Sequence, residues 1–248
     1  MSGLSFDPGF RSVIFDCDST LSGIEGIDVL AGERLGEIRA LTDAAMDGAL
    51  PLEAVYGQRL ALIRPTRAAV EALARAYVEA LVPDARETVA ALRWLGKTVR
   101  VLSGGLLPPV QALAIELGLP GDAVAAVPLS FDEDGGYRGF DADSPLARSG
   151  GKPEVIRRWD LPRRVLLVGD GATDLEARPA VDSFAGYMGV VRRPAVAAGA
   201  DVVLESPSLA PVLALAADAA DRERLRASPW AGLLQRGEQL LNLDLNDF

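Results

Sequence analysis

Apolar residues along the chain fall into two alternating rhythms, short continuous runs and stretches of helical spacing. The first run, Val13 to Phe15, predicts a buried strand. From Gly23 to about Val82 the texture is Leu/Ala/Glu/Arg-rich with helical periodicity. There Ile24-Ile27-Leu30 and Leu60-Leu62-Ile63 lie on apolar faces, and Gly48, Pro51 and Pro65 punctuate the run. No strand signal interrupts it, which predicts a small helical insertion directly after the first strand. Beyond Pro83-Asp84 the pattern predicts a helix over 85–95 and a strand over 98–102 that ends at Ser103-Gly104-Gly105. A helix over 108–117 follows, with Gly118 as its C-cap. Val124 to Phe131 and Tyr137 to Phe140 flank Asp134-Gly135-Gly136, a hairpin signal. Lys152 opens a helix running to about Trp159. Val165 to Val168 is the clearest buried strand and ends at Gly169-Asp170-Gly171. A strand around 184–191, a short one over 202–204 and a helix over 209–220 complete the alternation. Apolar strands alternating with helices imply an α/β protein with a parallel sheet. The tail, 221–248, reads as helical, and the pattern leaves open whether it packs on the core or on another subunit.

Composition narrows the chemistry. At 248 residues, with 49% hydrophobic and 24% charged residues, the chain has the makeup of a globular protein. A net charge of -10 argues against nucleic acid or an anionic membrane surface as partner. The absence of histidine excludes Ser-His-Asp and Cys-His triads and histidine zinc ligands. A single cysteine, Cys17, suits a reducing compartment. No signal-peptide pattern opens the chain, and no apolar run approaches the roughly 18 residues that span a membrane, so a cytoplasmic location is expected. Acid–base catalysis must then come from Asp, Glu, Lys, Tyr or a metal-bound water.

Candidate chemistry gathers at the strand ends. Asp16-Cys17-Asp18 directly follows the first apolar run, and an unpaired carboxylate buried there costs several kcal/mol. In open α/β sheets, ligands bind at the carboxyl ends of the strands. Asp16 and Asp170 offer hard oxygen ligands for Mg²⁺. One carboxylate can attack phosphorus, and a second, two residues on, can serve as general acid and then base. Ser103 with the N–H groups of Gly104 and Gly105 can hold phosphate oxygens as a nest at a helix N-terminus. Lys152 supplies fixed positive charge. Taken singly these readings are weak: Asp18-Ser19-Thr20 fits a helix cap, Ser103-Gly104-Gly105 a turn and Lys152 a solvated surface residue. Gly151-Lys152 is not a Walker A loop, and 169–174 lacks a dinucleotide fingerprint. The four together, in this order, suit phosphoryl transfer.

In that order of motifs the chain resembles the haloacid dehalogenase-like phosphohydrolases, and within them the branch that acts on phosphoserine. The likeness extends to Glu25-Gly26-Ile27-Asp28, Met46-Asp47-Gly48-Ala49-Leu50-Pro51, Arg59-Leu60-Ala61-Leu62-Ile63 and Gly169 to Ala177. It runs from about Val13 to Asp201. The resemblance implies a Rossmann-like parallel-sheet core with helices on both faces, built from 1–20 and 83–248, with a helical cap over 21–82. It implies that Asp16 is nucleophile and ligand of one Mg²⁺, that Asp18 is the acid/base with its backbone carbonyl on the metal, and that Asp170 is the third protein ligand. Ser103, Gly104 and Lys152 would grip phosphate, and Thr173 would line the site. Asp174 would orient Lys152 or a metal-bound water, with Thr20 in support. Met46 and Gly48 would line the substrate pocket. Glu25 would meet the substrate ammonium and Arg59 its carboxylate, the two charges a zwitterionic amino-acid phosphate requires apart from the phosphate. Without the resemblance, Glu25 also fits a first-turn helix acid and Arg59 a solvated face. Leu52 departs from the aromatic often found in relatives, which would loosen the pocket.

The leading expectation is therefore Mg²⁺-dependent hydrolysis of O-phospho-L-serine through an aspartyl-phosphate. The same mechanism on another phosphometabolite, or transfer to an alcohol such as homoserine, is the nearest alternative. A receiver-type signalling switch is a more distant one, because its phospho-acceptor lies further along the chain and it carries no lid. The partner is a small molecule, and the chain reads as a monomer or homodimer.

Overall fold

The computed structural model describes residues 9–46 and 49–246. The first strand, β1 (Ser12–Phe15), is fully buried, as an apolar run on the central strand of a covered sheet must be. Four helices follow without an intervening strand: α1 (Gly26–Leu30), α2 (Leu35–Met46), α3 (Leu52–Ile63) and α4 (Arg67–Glu79). Then come α5 (Ala85–Trp94), β2 (Thr98–Leu106), α6 (Leu107–Glu116), β3 (Val124–Val127), β4 (Leu129–Phe131), β5 (Tyr137–Phe140), α7 (Gly151–Arg158) and β6 (Val165–Gly169). The chain continues with α8 (Ala172–Ala177), β7 (Ser183–Tyr187), α9 (Pro194–Gly199), β8 (Val202–Leu204), α10 (Ala210–Ala216), α11 (Ala219–Arg226) and α12 (Ala231–Asn246).

Six strands form one parallel sheet in the order β3-β2-β1-β6-β7-β8, with β1 near its centre. The two connections to the helical run lie side by side. The Val82 N–H donates to Leu21 O at 3.0 Å and the Gly23 N–H to Ala80 O at 2.8 Å.

Four sequence expectations are corrected. The strand expected over 98–102 runs on to Leu106, because Leu106 pairs with Val127 after a register shift. Ser103, Gly104 and Gly105 are thus a bulged strand end rather than a nest in the first turn of a helix. The run 124–131 is two strands, since Pro128 cannot donate to a ladder. Val124–Val127 joins the main sheet and Leu129–Phe131 pairs antiparallel with β5. β7 stops at Tyr187, where its partner β8 ends at Leu204. The helix expected over 209–220 breaks at Ala217, because the Asp218 carboxylate accepts the Asp221 N–H at 2.7 Å and starts α11.

The tail belongs to the core. α10 is buried on all sides, and α12 covers it with Leu234 and Leu241. Gly237 permits the close approach: a Cβ there would fall 2.3 Å from Ala210 O. α12 also sends Arg236 to Asp84, which begins α5 and accepts from Ser208 Oγ at 2.6 Å.

Candidate active site

Phe15 stands opposite both Val101 and Val168, so β1, β2 and β6 reach the carboxyl edge of the sheet together. The residues just beyond them converge for that reason. Asp16 still donates its N–H to Val168 O at 2.9 Å, and Ser103 and Asp170 emerge on either side. One cavity is lined by Asp16, Asp18, Ser103, Gly104, Lys152, Asp170 and Thr173 from the sheet edge, and by Glu25, Ile27 and Arg59 from the helical run and the chain leading into it. Thr20 and Asp174 lie behind it. Gly48 and the side chains of Met46 and Leu52 lie outside the described residues.

At the sheet edge, Lys152 Nζ donates to Asp174 Oδ1 at 2.7 Å and lies 2.9 Å from Asp16 Oδ1. The latter is an ion pair without hydrogen-bond alignment, so Asp16 Oδ1 is buried with no hydrogen-bond partner. Burial alone disfavours the Lys152 ammonium, but the Asp16 and Asp174 carboxylates outweigh it and raise its pKa. Arg193 Nε donates to Asp170 Oδ2 at 3.2 Å, and Thr20 Oγ1 to Asp170 Oδ1 at 3.3 Å. Burial, then the nearby Asp16 charge, still push the Asp170 carboxyl up to about 7. The same two causes raise Asp174 despite its contact with Lys152.

Asp16, Asp170 and Asp174 each place one carboxylate oxygen within 4.8 Å of the others. Three buried carboxylates, with those of Asp170 and Asp174 pushed up by burial and by the Asp16 charge, mark a site short of positive charge. An all-oxygen donor set without His or Cys fits a hard divalent cation. The Asp18 carboxylate is turned away from this cluster. Its Oδ1 accepts from the Gly26 N–H and the Tyr77 hydroxyl, both at 2.6 Å, and its Oδ2 from Ser103 Oγ at 3.2 Å. Burial and then Asp16 raise its pKa against those hydrogen bonds.

On the other side of the cavity, Ser19 Oγ donates to Glu25 Oε1 at 2.7 Å. Burial, then Asp18 and Asp170, push the Glu25 carboxyl well up. Arg59 is 2% exposed, with its Nε unpartnered. Its Nη1 donates to Thr42 Oγ1 at 3.0 Å, and Thr42 in turn donates to Asp28 Oδ1 at 2.7 Å. Burial lowers the Arg59 pKa. A ligand with an ammonium near Glu25 and a carboxylate near Arg59 relieves both penalties.

Tyr77, Thr42 and Arg193 belong to this network although no sequence motif includes them, and Asp28, the last residue of the Glu25-Gly26-Ile27-Asp28 motif, joins it through Thr42. Arg193 carried a usable signal, since it closes the loop after the carboxyl end of β7, the same edge that supplies Asp16 and Asp170. Tyr77 carried none beyond its place on an apolar helix face.

A fold and site of this kind define a class, and comparison with known proteins places the chain in it. The model of the haloacid dehalogenase-like hydrolases matches residues 13–177, and the chain belongs to that family. It is 41% identical over 187 residues to the phosphoserine phosphatase of Bos taurus, covering 73% of this chain and 83% of that protein. It is 40% identical over 199 residues to the chloroplastic phosphoserine phosphatase of Arabidopsis thaliana, covering 77% of this chain and 67% of that one. Among solved structures, a substrate-bound phosphoserine phosphatase complex superposes with a TM-score of 0.73 at 25% identity, over 84% of this chain and 98% of the other. A phosphoserine phosphohydrolase-like protein from Francisella tularensis gives a TM-score of 0.73 at 25% identity, over 79% and 95%. Among the described residues, no helix is long and apolar enough to cross a membrane.

Proposed function

We propose that this chain hydrolyses O-phospho-L-serine to L-serine and phosphate, the serine-forming step of serine biosynthesis. The observation that carries the reading is one cavity with two chemically distinct ends. Asp16, Ser103 and Lys152 line one, and Glu25 and Arg59 the other. That is the charge pattern of a zwitterionic phosphomonoester.

Asp16 attacks phosphorus and forms an aspartyl-phosphate, while Lys152, Ser103 and Gly104 hold the phosphate oxygens. Asp18 gives a proton to the departing serine oxygen, then takes one from the water that cleaves the intermediate. Asp16, Asp170 and the Asp18 backbone carbonyl would hold one Mg²⁺, with Asp174 beside them. When bound, Mg²⁺ offsets the charge of the phosphate that Asp16 approaches. Residues 21–82 act as a cap that supplies Glu25 and Arg59 and shields the phosphate from bulk solvent. Support comes from the cavity, from the buried carboxylate cluster and from relatives named as phosphoserine phosphatases.

The test is phosphate release from L-phosphoserine with Mg²⁺ and with EDTA, beside a panel of phosphorylated metabolites and homoserine as acceptor. Glu25→Gln and Arg59→Ala are expected to impair phosphoserine hydrolysis far more than hydrolysis of an aryl phosphate. Equal losses on both substrates would remove the substrate assignment.

A further inference from the structure

Tyr77 is fully buried, and its hydroxyl donates to Asp18 Oδ1 at 2.6 Å. A buried tyrosine hydroxyl normally finds a partner, and a backbone carbonyl suffices. Tyr187 illustrates this, donating to Pro207 O at 2.6 Å. Tyr77 instead points at the side chain assigned the proton transfers.

The backbone has been cleared for this contact. A Cβ on Gly26 would lie 2.1 Å from the Tyr77 hydroxyl, and one on Gly105 would lie 2.6 Å from Asp18 Oδ2. Neither glycine has a positive φ, so backbone conformation does not demand them. Their identity leaves room for the hydroxyl and the carboxylate. Tyr77 is also anchored to the chain entering the helical run, because its carbonyl accepts from Ser22 Oγ at 3.1 Å.

We propose that Tyr77 is a positioning residue for the acid/base: with the Gly26 N–H it holds Asp18 Oδ1, so that proton transfer passes through Asp18 Oδ2. This rests on the phosphomonoesterase reading above. Oδ1 already faces two donors, and a proton placed there would confront them. Oδ2 accepts only the longer bond from the Ser103 hydroxyl, at 3.2 Å, and that hydroxyl, part of the phosphate grip, can turn to accept when Oδ2 carries the proton. As the ester O–P bond breaks, its electron pair goes to the serine oxygen, which takes the proton from Oδ2. Asp18 is left as a carboxylate. Oδ2 then takes a proton from the water that attacks phosphorus as the Asp16–phosphorus bond breaks. Tyr77 keeps its own proton throughout. Because Tyr77 sits on α4, the helical run itself aims the acid.

The experiment compares Tyr77→Phe with the unaltered chain on two substrates through kcat/KM, which covers the steps up to the aspartyl-phosphate. L-phosphoserine loses an alkoxide that needs a proton, whereas p-nitrophenyl phosphate loses a stable phenolate that does not. The expected result is a fall of roughly tenfold to a hundredfold on phosphoserine, as for weakened general acid catalysis, with p-nitrophenyl phosphate changed by less than about twofold. No change on phosphoserine overturns the proposal. So does an equal fall on both, the pattern of a purely structural role. If the unaltered chain cleaves p-nitrophenyl phosphate but not phosphoserine, the substrate reading fails by itself. Glycerol phosphate then serves as the alkyl ester, and the same two outcomes decide the role of Tyr77.

Discussion

Lys152 and Asp16 form a buried ion pair, 2.9 Å from Nζ to Oδ1, in which the carboxylate oxygen has no hydrogen-bond partner. A carboxylate held this way is close to a cation yet not capped by a hydrogen bond, as the proposed attack on phosphorus requires. The second contact of Lys152, at 2.7 Å to Asp174, fixes where the ammonium sits. Asp174 in turn accepts the Gly171 N–H at the start of α8, at 3.1 Å. The line from the α8 backbone through Asp174 and Lys152 to Asp16 is continuous.

Asp16→Asn removes the proposed nucleophile while keeping its shape. Turnover of phosphoserine should fall by roughly 10⁴-fold or more, as nucleophile deletions do elsewhere. Phosphate release checks it, with a circular dichroism spectrum to confirm that the fold is kept. Activity within a factor of ten of the unaltered chain would rule out the aspartyl-phosphate route.

Lys152→Met leaves Asp16 and Asp174 facing each other with no ammonium between them. Removing one partner of a buried pair costs about 3–5 kcal/mol, and the loss should appear as a lower urea midpoint without metal. Acidification should restore part of it, since protons can replace the missing cation.

The metal-free protein should lose stability as pH rises through the range in which Asp170 titrates. Its carboxyl, pushed up to about 7 from an ordinary 3.8, keeps a proton that the unfolded chain has already released. Between those values the folded state binds more protons, and the stability this group contributes falls with increasing pH. A divalent cation takes the place of the proton, so the difference in Tm between Mg²⁺ and EDTA should widen from about pH 5 to about pH 8. A difference independent of pH would count against metal binding at this cluster.

Thr42→Ala deletes the hydroxyl to which Arg59 Nη1 donates at 3.0 Å. A hydrogen bond to a charged group contributes about 1.5–3 kcal/mol, so KM for phosphoserine should rise roughly tenfold to a hundredfold. KM for p-nitrophenyl phosphate, which lacks a carboxylate for Arg59, should hardly move. Steady-state kinetics on the pair of substrates decides between a loosened Arg59 and a general loss of packing.

Leu234→Ala tests whether the tail is part of the core. Leu234 is 1% exposed between α12 and α10, and such a truncation costs about 2–5 kcal/mol. Denaturant unfolding should register that loss while kcat/KM stays near that of the unaltered chain. A stability change below about 0.5 kcal/mol would mean that α12 rests only loosely on α10.

The motifs at Asp16, Ser103, Lys152 and Asp170 were legible in the sequence because each is a polar residue where an apolar strand ends or a helix begins. A parallel sheet gathers such residues at one edge whatever the details of the loops. Helical periodicity over 24–63 likewise exposed the run of helices after β1. The breaks at Pro128 and Asp218 were visible as residue types, but pairing partners far along the chain chose their consequences. Val127 joins the main sheet because Leu106 is there to meet it.

By itself, then, the sequence determined the class of fold, the order of the strand-end groups and the donor chemistry available without histidine. Local rules of strand, helix and turn suffice for these. Only the tertiary structure decided that Asp18 faces Tyr77, 59 positions further along the chain, that Arg59 leans on Thr42 and Asp28, that Arg193 reaches Asp170, and that α12 closes the core. Those contacts depend on how separate elements pack, and no local pattern encodes the distance between two side chains on different helices.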